Sequence, residues 1–130
     1  MRLWHIDILE YLPKSQLLAQ KRECDLIWKD IKEGKKTNHI LINYIWNYDL
    51  GCFKNYYIKL KSEFQRRNFK FKDNSIDIGF YINCNYPEHD FEYFEICFYN
   101  LKEKYMRGQK DFDDRLFQDL SNYYFEINEI

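Results

Sequence analysis

Glycine is scarce and scattered. Gly34, Gly51, Gly79 and Gly108 are the only four in 130 residues, so no glycine-rich loop is available to cradle a phosphate. Four cysteines, Cys24, Cys52, Cys84 and Cys97, include no pair at Cys-x-x-Cys spacing, and His5, His39 and His89 lie far apart. Zinc-ligand signatures are therefore missing, as are His-Glu-x-x-His and Gly-x-Ser-x-Gly. No apolar run approaches the ~20 residues of a membrane-spanning helix. Met1–Asp7 is too short and too interrupted for the apolar region of a signal peptide. These absences set the expectation of a cytoplasmic protein with free thiols, no metal, no cofactor and no membrane partner.

Rings and charge are plentiful. Twelve Tyr and eleven Phe contribute to an aromatic content of 20%, and 45% of the chain is apolar, which excludes a disordered segment. A chain of 130 residues suffices for one core, and with no repeat or linker the expectation is a single domain over 1–130. The net charge of −1 conceals an imbalance. Residues 1–72 hold 15 Lys/Arg against 8 Asp/Glu, and residues 73–130 hold 5 against 13. A basic half suits a phosphate-binding face, although halves of a sequence need not be halves of a surface.

The periodicity is helical. Pro13 opens a pattern running to about Glu33, with Leu17, Cys24, Ile27, Trp28 and Ile31 on one side, and Gly34 ends it in a left-handed cap. Thr37 is the expected cap of a second helix to about Tyr48, with Leu41, Tyr44, Ile45 and Tyr48 inward. A third helix is expected from about Gly51 to Asn68, through Phe53, Tyr57, Leu60 and Phe64. Residues 69–89 read as a long irregular connection. Asp90 caps a fourth pattern with Phe91, Phe94, Phe98, Leu101 and Tyr105 inward, and Asp111 to about Tyr124 forms a fifth. The expected fold is an all-α bundle of four to five helices.

Composition and spacing alone end there. Particular segments go further: Met1-Arg2-Leu3-Trp4-His5, Leu12-Pro13, Gln16 through Cys24, Asn38-His39-Ile40-Leu41, Arg66-Arg67-Asn68-Phe69 and Cys97 through Tyr105. Together they resemble the pyrimidine-dimer DNA glycosylase/AP lyase family of the phage endonuclease V type. The likeness is strongest to short bacterial and archaeal members that begin Met-Arg-Leu-Trp-His. It implies a compact helical monomer that repairs damaged double-stranded DNA with its own α-amine as nucleophile, assisted by a Glu that follows an Arg on the first long helix. Here those residues are Met1, Arg22 and Glu23.

The chemistry suits these groups. α-Amines titrate at about 7.7–8.0, against about 10.4 for Lys, so a useful fraction is nucleophilic at neutral pH. A nearby carboxylate stabilises the cationic sugar and moves protons. Read without the resemblance, Glu23 is a surface acid beside Arg22. The chain departs from the phage pattern in carrying Arg2 after its Met, where a Thr would be unmasked by Met removal. The bulk of Arg2 keeps Met1 in place. Leu26 and Gln16 replace a basic residue and a His, and Tyr123, Tyr124 and Phe125 are candidates for the phage-type aromatic tail. Candidate DNA contacts are Arg2, His5, Lys14, Gln16, Lys21, Lys35, Lys36, Arg66 and Arg67. Trp4 and His5 are candidate wedges or stacking partners, with core anchoring the alternative for Trp4. Two other function classes remain: a non-catalytic nucleic-acid-binding domain of the same fold, and a protein-interaction module built on the acidic half.

Overall fold

Pro13 sets the first boundary. It is extended at φ −59°, ψ 158°, and its carbonyl accepts the Leu17 N–H at 3.0 Å, so the ring closes the amino-terminal lead and starts the helix that follows. The computed structural model describes residues 1–74, 76 and 84–129. Its order is a 3-10 helix Ile6–Tyr11, α1 Lys14–Lys32, a 3-10 helix Asn43–Asn47, α2 Leu50–Arg66, α3 Phe91–Met106 and α4 Asp114–Asn128. No strand occurs among the described residues, and the fold is all-α. Of the expected connection at 69–89, residues 69–74, 76 and 84–89 carry no regular element. The remainder lies outside the described residues.

Helix α1 buries Leu17, Gln20, Lys21, Cys24, Ile27 and Trp28, a three-four-seven stripe, and Gly34 closes it at φ +70°. Asp49, Asp90 and Asp113 cap α2, α3 and α4 by accepting the N–H groups of Gly51, Tyr93 and Leu116 at 2.7, 2.9 and 2.7 Å. Rings join α3 to α4: Phe98 stacks on Tyr124 at 4.2 Å and Tyr105 on Phe117 at 4.1 Å. Leu3, Ile8, Leu9 and Leu12 are fully buried in the same core as the helix stripes, so the lead is structural.

Several expectations need correction. The helix expected from Thr37 to Tyr48 is only the 3-10 turn Asn43–Asn47. Side chains there occupy the backbone groups that a longer helix would use. Asn43 accepts the His39 N–H at 2.9 Å, and the Trp46 indole donates to the Thr37 carbonyl at 3.1 Å. Leu41, expected inward, is exposed. The last helix starts at Asp114 rather than Asp111, because Asp113 takes the cap. Phe91 faces out while stacking on Tyr124. Two thiols are not free: Cys52 and Cys84 form a disulfide with Cα atoms 4.9 Å apart, and only Cys24 and Cys97 remain buried thiols. A pair 32 residues apart carries no local signature. Its closure stabilises the fold by about 3–4 kcal/mol in the chain-entropy account. The cysteines therefore lend no support to a reducing compartment.

His89 couples the lead to α3. Its Nδ1 accepts the Ile6 N–H at 3.0 Å, which leaves the ring proton on Nε2, facing the Tyr44 hydroxyl at 2.7 Å. Burial, reinforced by the neighbouring His5 ring, pushes its pKa down from 6.5 to about 3. The unfolded chain binds a proton below about pH 6.5 that the native state refuses. Stability from this site is complete above pH 6.5 and is lost as the pH falls toward 3, by up to about 1.4 kcal/mol per pH unit. Denaturant titrations between pH 7 and pH 4 should show that loss, with a shallower slope in His89→Gln. Equal slopes in the two proteins would count against this assignment.

Candidate active site

The amino-terminal arm is pinned from three helices. The Trp4 N–H donates to Gln20 Oε1 at 2.7 Å, and Gln20 Nε2 donates to the Arg2 carbonyl at 3.0 Å. The Tyr56 hydroxyl of α2 donates to the Trp4 carbonyl at 2.7 Å, and the Tyr93 hydroxyl of α3 donates to the Leu3 carbonyl at 2.5 Å. Gln20, 1% exposed, also donates to Glu23 Oε2 at 3.2 Å. One buried amide thus holds the chain at Arg2–Trp4 and the Glu23 carboxylate together. Both of its amide hydrogens and its oxygen are used, which fixes its orientation.

Beside this amide lies an open cavity of about 300 Å³. Met1 and Arg2 line it from the amino terminus, Gln16 and Glu23 from α1, and Asn100 and Lys104 from α3. Met1 and Glu23 are each half-buried, within reach of solvent. The Arg2 guanidinium lies 5.6 Å from the Trp4 ring and 6.0 Å from the Tyr93 ring. Gln16 and Gln109 pair reciprocally at 3.1 and 2.6 Å, tying the rim of α1 to the loop before α4. The cavity therefore brings together Met1, one carboxylate from Glu23 and two cationic residues, Arg2 and Lys104. That is a set able to attack an electrophilic carbon, move a proton and hold an anion.

Five of the sequence candidates line this cavity: Met1, Arg2, Trp4, Gln16 and Glu23. The others do not. Arg22 is exposed and is not among the lining residues. Lys14 is exposed, its amine 5.1 Å from the Phe69 ring. Lys35 and Lys36 are exposed beyond the end of α1, with Lys35 3.2 Å from Glu33. Lys21 is not a surface contact: it is buried, ion-paired to Asp25 at 2.6 Å and 4.7 Å above the Phe71 ring. Arg66 and Arg67 both engage the buried Glu63, and Arg67 also donates to the carbonyls of Leu12 at 2.7 Å and Glu10 at 3.0 Å. Their work is to fasten the lead to α2.

Trp4 and His5 are buried too, which removes both as wedges. His5 faces a second, larger cavity of about 490 Å³ with His89, Asp7, Asp90 and Phe94. Burial lowers the His5 pKa, against the opposing pull of Asp7. That cavity has carboxylates and no Lys or Arg, so it repels a phosphate backbone despite its size.

Sequence reasoning missed Asn100 and Lys104. They come from the acidic half, and their signal was an i, i+4 pair within the Cys97–Tyr105 segment. It also missed Gln20 as the link between amine arm and carboxylate. Among the described residues no helix is long and apolar enough to cross a membrane.

A family model described as pyrimidine dimer DNA glycosylase matches residues 1–77, the stretch that contains the amino-terminal arm, α1 and α2. No curated protein and no solved structure matches the chain.

Proposed function

The chain belongs to the pyrimidine dimer DNA glycosylase family, and from that premise we propose that it is an N-glycosylase and AP lyase acting on double-stranded DNA that carries pyrimidine dimers or abasic sites. It works as a cofactor-free monomer, a single domain over 1–130, and is cytoplasmic and DNA-associated. The observation that carries the reading is that Met1 and Glu23, distant in sequence, line one open, cation-bearing cavity.

The Met1 α-amine attacks C1′ of the damaged nucleotide. The N-glycosidic bond breaks, and its electron pair leaves with the base, which takes a proton. The nitrogen passes one proton to the Glu23 carboxylate, the C1′–O4′ bond then opens with its electrons going to O4′, and Glu23 delivers that proton to O4′. The nitrogen, having lost one proton, is left as an iminium joined to C1′. That cation acidifies the 2′ carbon. Glu23, now a carboxylate, removes a 2′ proton, the C3′–O bond breaks, and the phosphate leaves with the strand cut. Water hydrolyses the imine and frees the amine. Arg2 and Lys104 hold the flanking phosphates, Gln16 and Asn100 give neutral hydrogen bonds at the rim, and Lys14, Lys35 and Lys36 add peripheral contacts. Arg22 stands outside as a further surface cation.

Borohydride reduction tests the reading. With abasic or dimer-containing duplex, it should fix a covalent protein–DNA adduct whose yield falls steeply with salt, since phosphate contacts release counterions. Salt-sensitive binding without an adduct would leave a non-catalytic DNA-binding domain. Absence of binding at low salt would leave a protein-interaction module.

A further inference from the structure

A glutamate on a helix face has several rotamers, and few of them aim its carboxylate at one reacting atom. Glu23 is half-buried on α1, so burial alone does not choose among them. Among the described residues its carboxylate accepts a hydrogen bond from Gln20 alone, at 3.2 Å on Oε2. We infer that Gln20 is a positioning residue, whose amide holds the Met1 arm and Glu23 Oε2 together so that Glu23 Oε1 carries the proton. The inference rests on the DNA-repair reading above and adds to it the side chain that sets the site's geometry before substrate arrives.

Position 20 stands three residues before Glu23 on α1, so the two side chains meet on one face. Gln20 lies on the inner side of that face and is buried. Its Oε1 accepts the Trp4 N–H, and its Nε2 gives one hydrogen to the Arg2 carbonyl and the other to Glu23. The Tyr56 hydroxyl, which donates to the Trp4 carbonyl, lies 3.0 Å from Gln20 Oε1 and closes the network from α2. Turning the amide over would set an N–H against the Trp4 N–H and an oxygen against two acceptors. One orientation therefore satisfies every partner. Glutamine suits the position because one planar end supplies two donors and an acceptor.

Satisfying the buried backbone of the arm takes the amide oxygen and one N–H. The second N–H goes to a carboxylate that solvent could also serve, and that bond is what a purely structural role leaves unexplained. With Oε2 held, Oε1 accepts no hydrogen bond from a described residue, and Glu23 lines the same cavity as Met1. Holding the carboxylate in advance spares its reorganisation at each proton transfer. The arm and the carboxylate share one amide, so loosening Gln20 disturbs both the attack at C1′ and the removal of the 2′ proton. Tyr56 holds the arm without touching Glu23, which separates the two effects.

The test is single-turnover reaction on abasic duplex, stopped with borohydride. Total adduct reads imine formation, and the ratio of uncleaved to cleaved adduct reads elimination. Gln20→Met keeps the length and removes every polar contact; it should slow imine formation and raise that ratio, each by about tenfold. Tyr56→Phe should slow imine formation and leave the ratio as in the wild type. Adding Gln20→Met to Glu23→Gln should change the ratio by less than about twofold, because the group it positions is already gone. A ratio unchanged in Gln20→Met, or an effect that multiplies in full with Glu23→Gln, would overturn the role of Gln20 and leave the repair reading standing. A wild-type protein that forms no adduct with any duplex would overturn both. If Gln20→Met does not fold, side-chain amide NMR of folded proteins decides. The Gln20 Nε2 protons should exchange slowly with solvent, and one of them should shift in Glu23→Gln. Fast exchange with no shift would overturn the proposal.

Discussion

One or two residues added before Met1 should abolish adduct trapping on abasic DNA and leave the fold unchanged. The arm that carries Met1 has no slack. Trp4 is held through both its N–H and its carbonyl, Leu3 through its carbonyl to Tyr93, and Arg2 through its carbonyl to Gln20. Each added residue moves the terminal amine by up to about 3.3–3.6 Å. The pinned arm cannot slide back to compensate without breaking those bonds. Acetylation of the terminus should have the same effect without added bulk, because an amide nitrogen is not a nucleophile at neutral pH. Binding to abasic duplex should persist in both proteins, since Arg2 and Lys104 are untouched. The checks are borohydride trapping, a binding titration and a thermal melt on the same samples. An adduct that survives extension and acetylation would move the nucleophile to Lys104, which lines the same cavity.

The sequence carried the helices wherever an apolar stripe met an end signal. Pro13 and Gly34 bracket α1, and Asp90 begins α3 where a cap was expected. It misled at Thr37–Tyr48, where apolar residues recur at helical spacing but Asn38, His39 and Asn43 satisfy one another and stop the helix. Periodicity reports which residues are apolar and not where backbone hydrogen bonds go. The disulfide was invisible for a related reason: Cys52 on α2 pairs with Cys84, which lies within the long connection 32 residues on.

The site divides along the same line. Met1, Arg22 and Glu23 were found through family resemblance, and two of the three line the cavity. Arg66 is exposed and Arg67 half-buried, and what sets them apart is their partners. Two adjacent arginines read as a phosphate contact, yet buried Glu63 and the carbonyls of the lead occupy them. Nothing local in the sequence assigns a partner to an arginine when that partner is a carbonyl more than fifty residues away. Lys104 escaped for the converse reason. Its half of the chain is acidic as a whole, while the face of α3 that meets the amine arm is not.

Glu23→Gln should keep the fold and DNA binding and lose about 10²–10⁴ in strand-cleavage rate, as removal of a positioned acid–base group does. The amide is close to the carboxylate in size, and its oxygen can still accept the Gln20 Nε2–H now donated to Glu23 Oε2. The contacts that place this position therefore remain. What disappears is the negative charge facing the iminium and the group that gives a proton to O4′ and takes one from C2′. A loss of that size is about 2.7–5.4 kcal/mol of transition-state stabilisation, far above the cost of one strained neutral hydrogen bond. Affinity for abasic duplex should hold or rise slightly, since one negative charge leaves a cavity that faces phosphates. Glu23→Asp separates charge from reach: it keeps the carboxylate but withdraws it by one methylene, and its rate should fall between the other two. Single-turnover cleavage with enzyme in excess gives the chemical step free of product release. Rates for Glu23→Gln within about threefold of wild type, well short of the loss expected for an acid–base group, would take Glu23 out of the mechanism. The amine would then act with solvent as its only proton carrier.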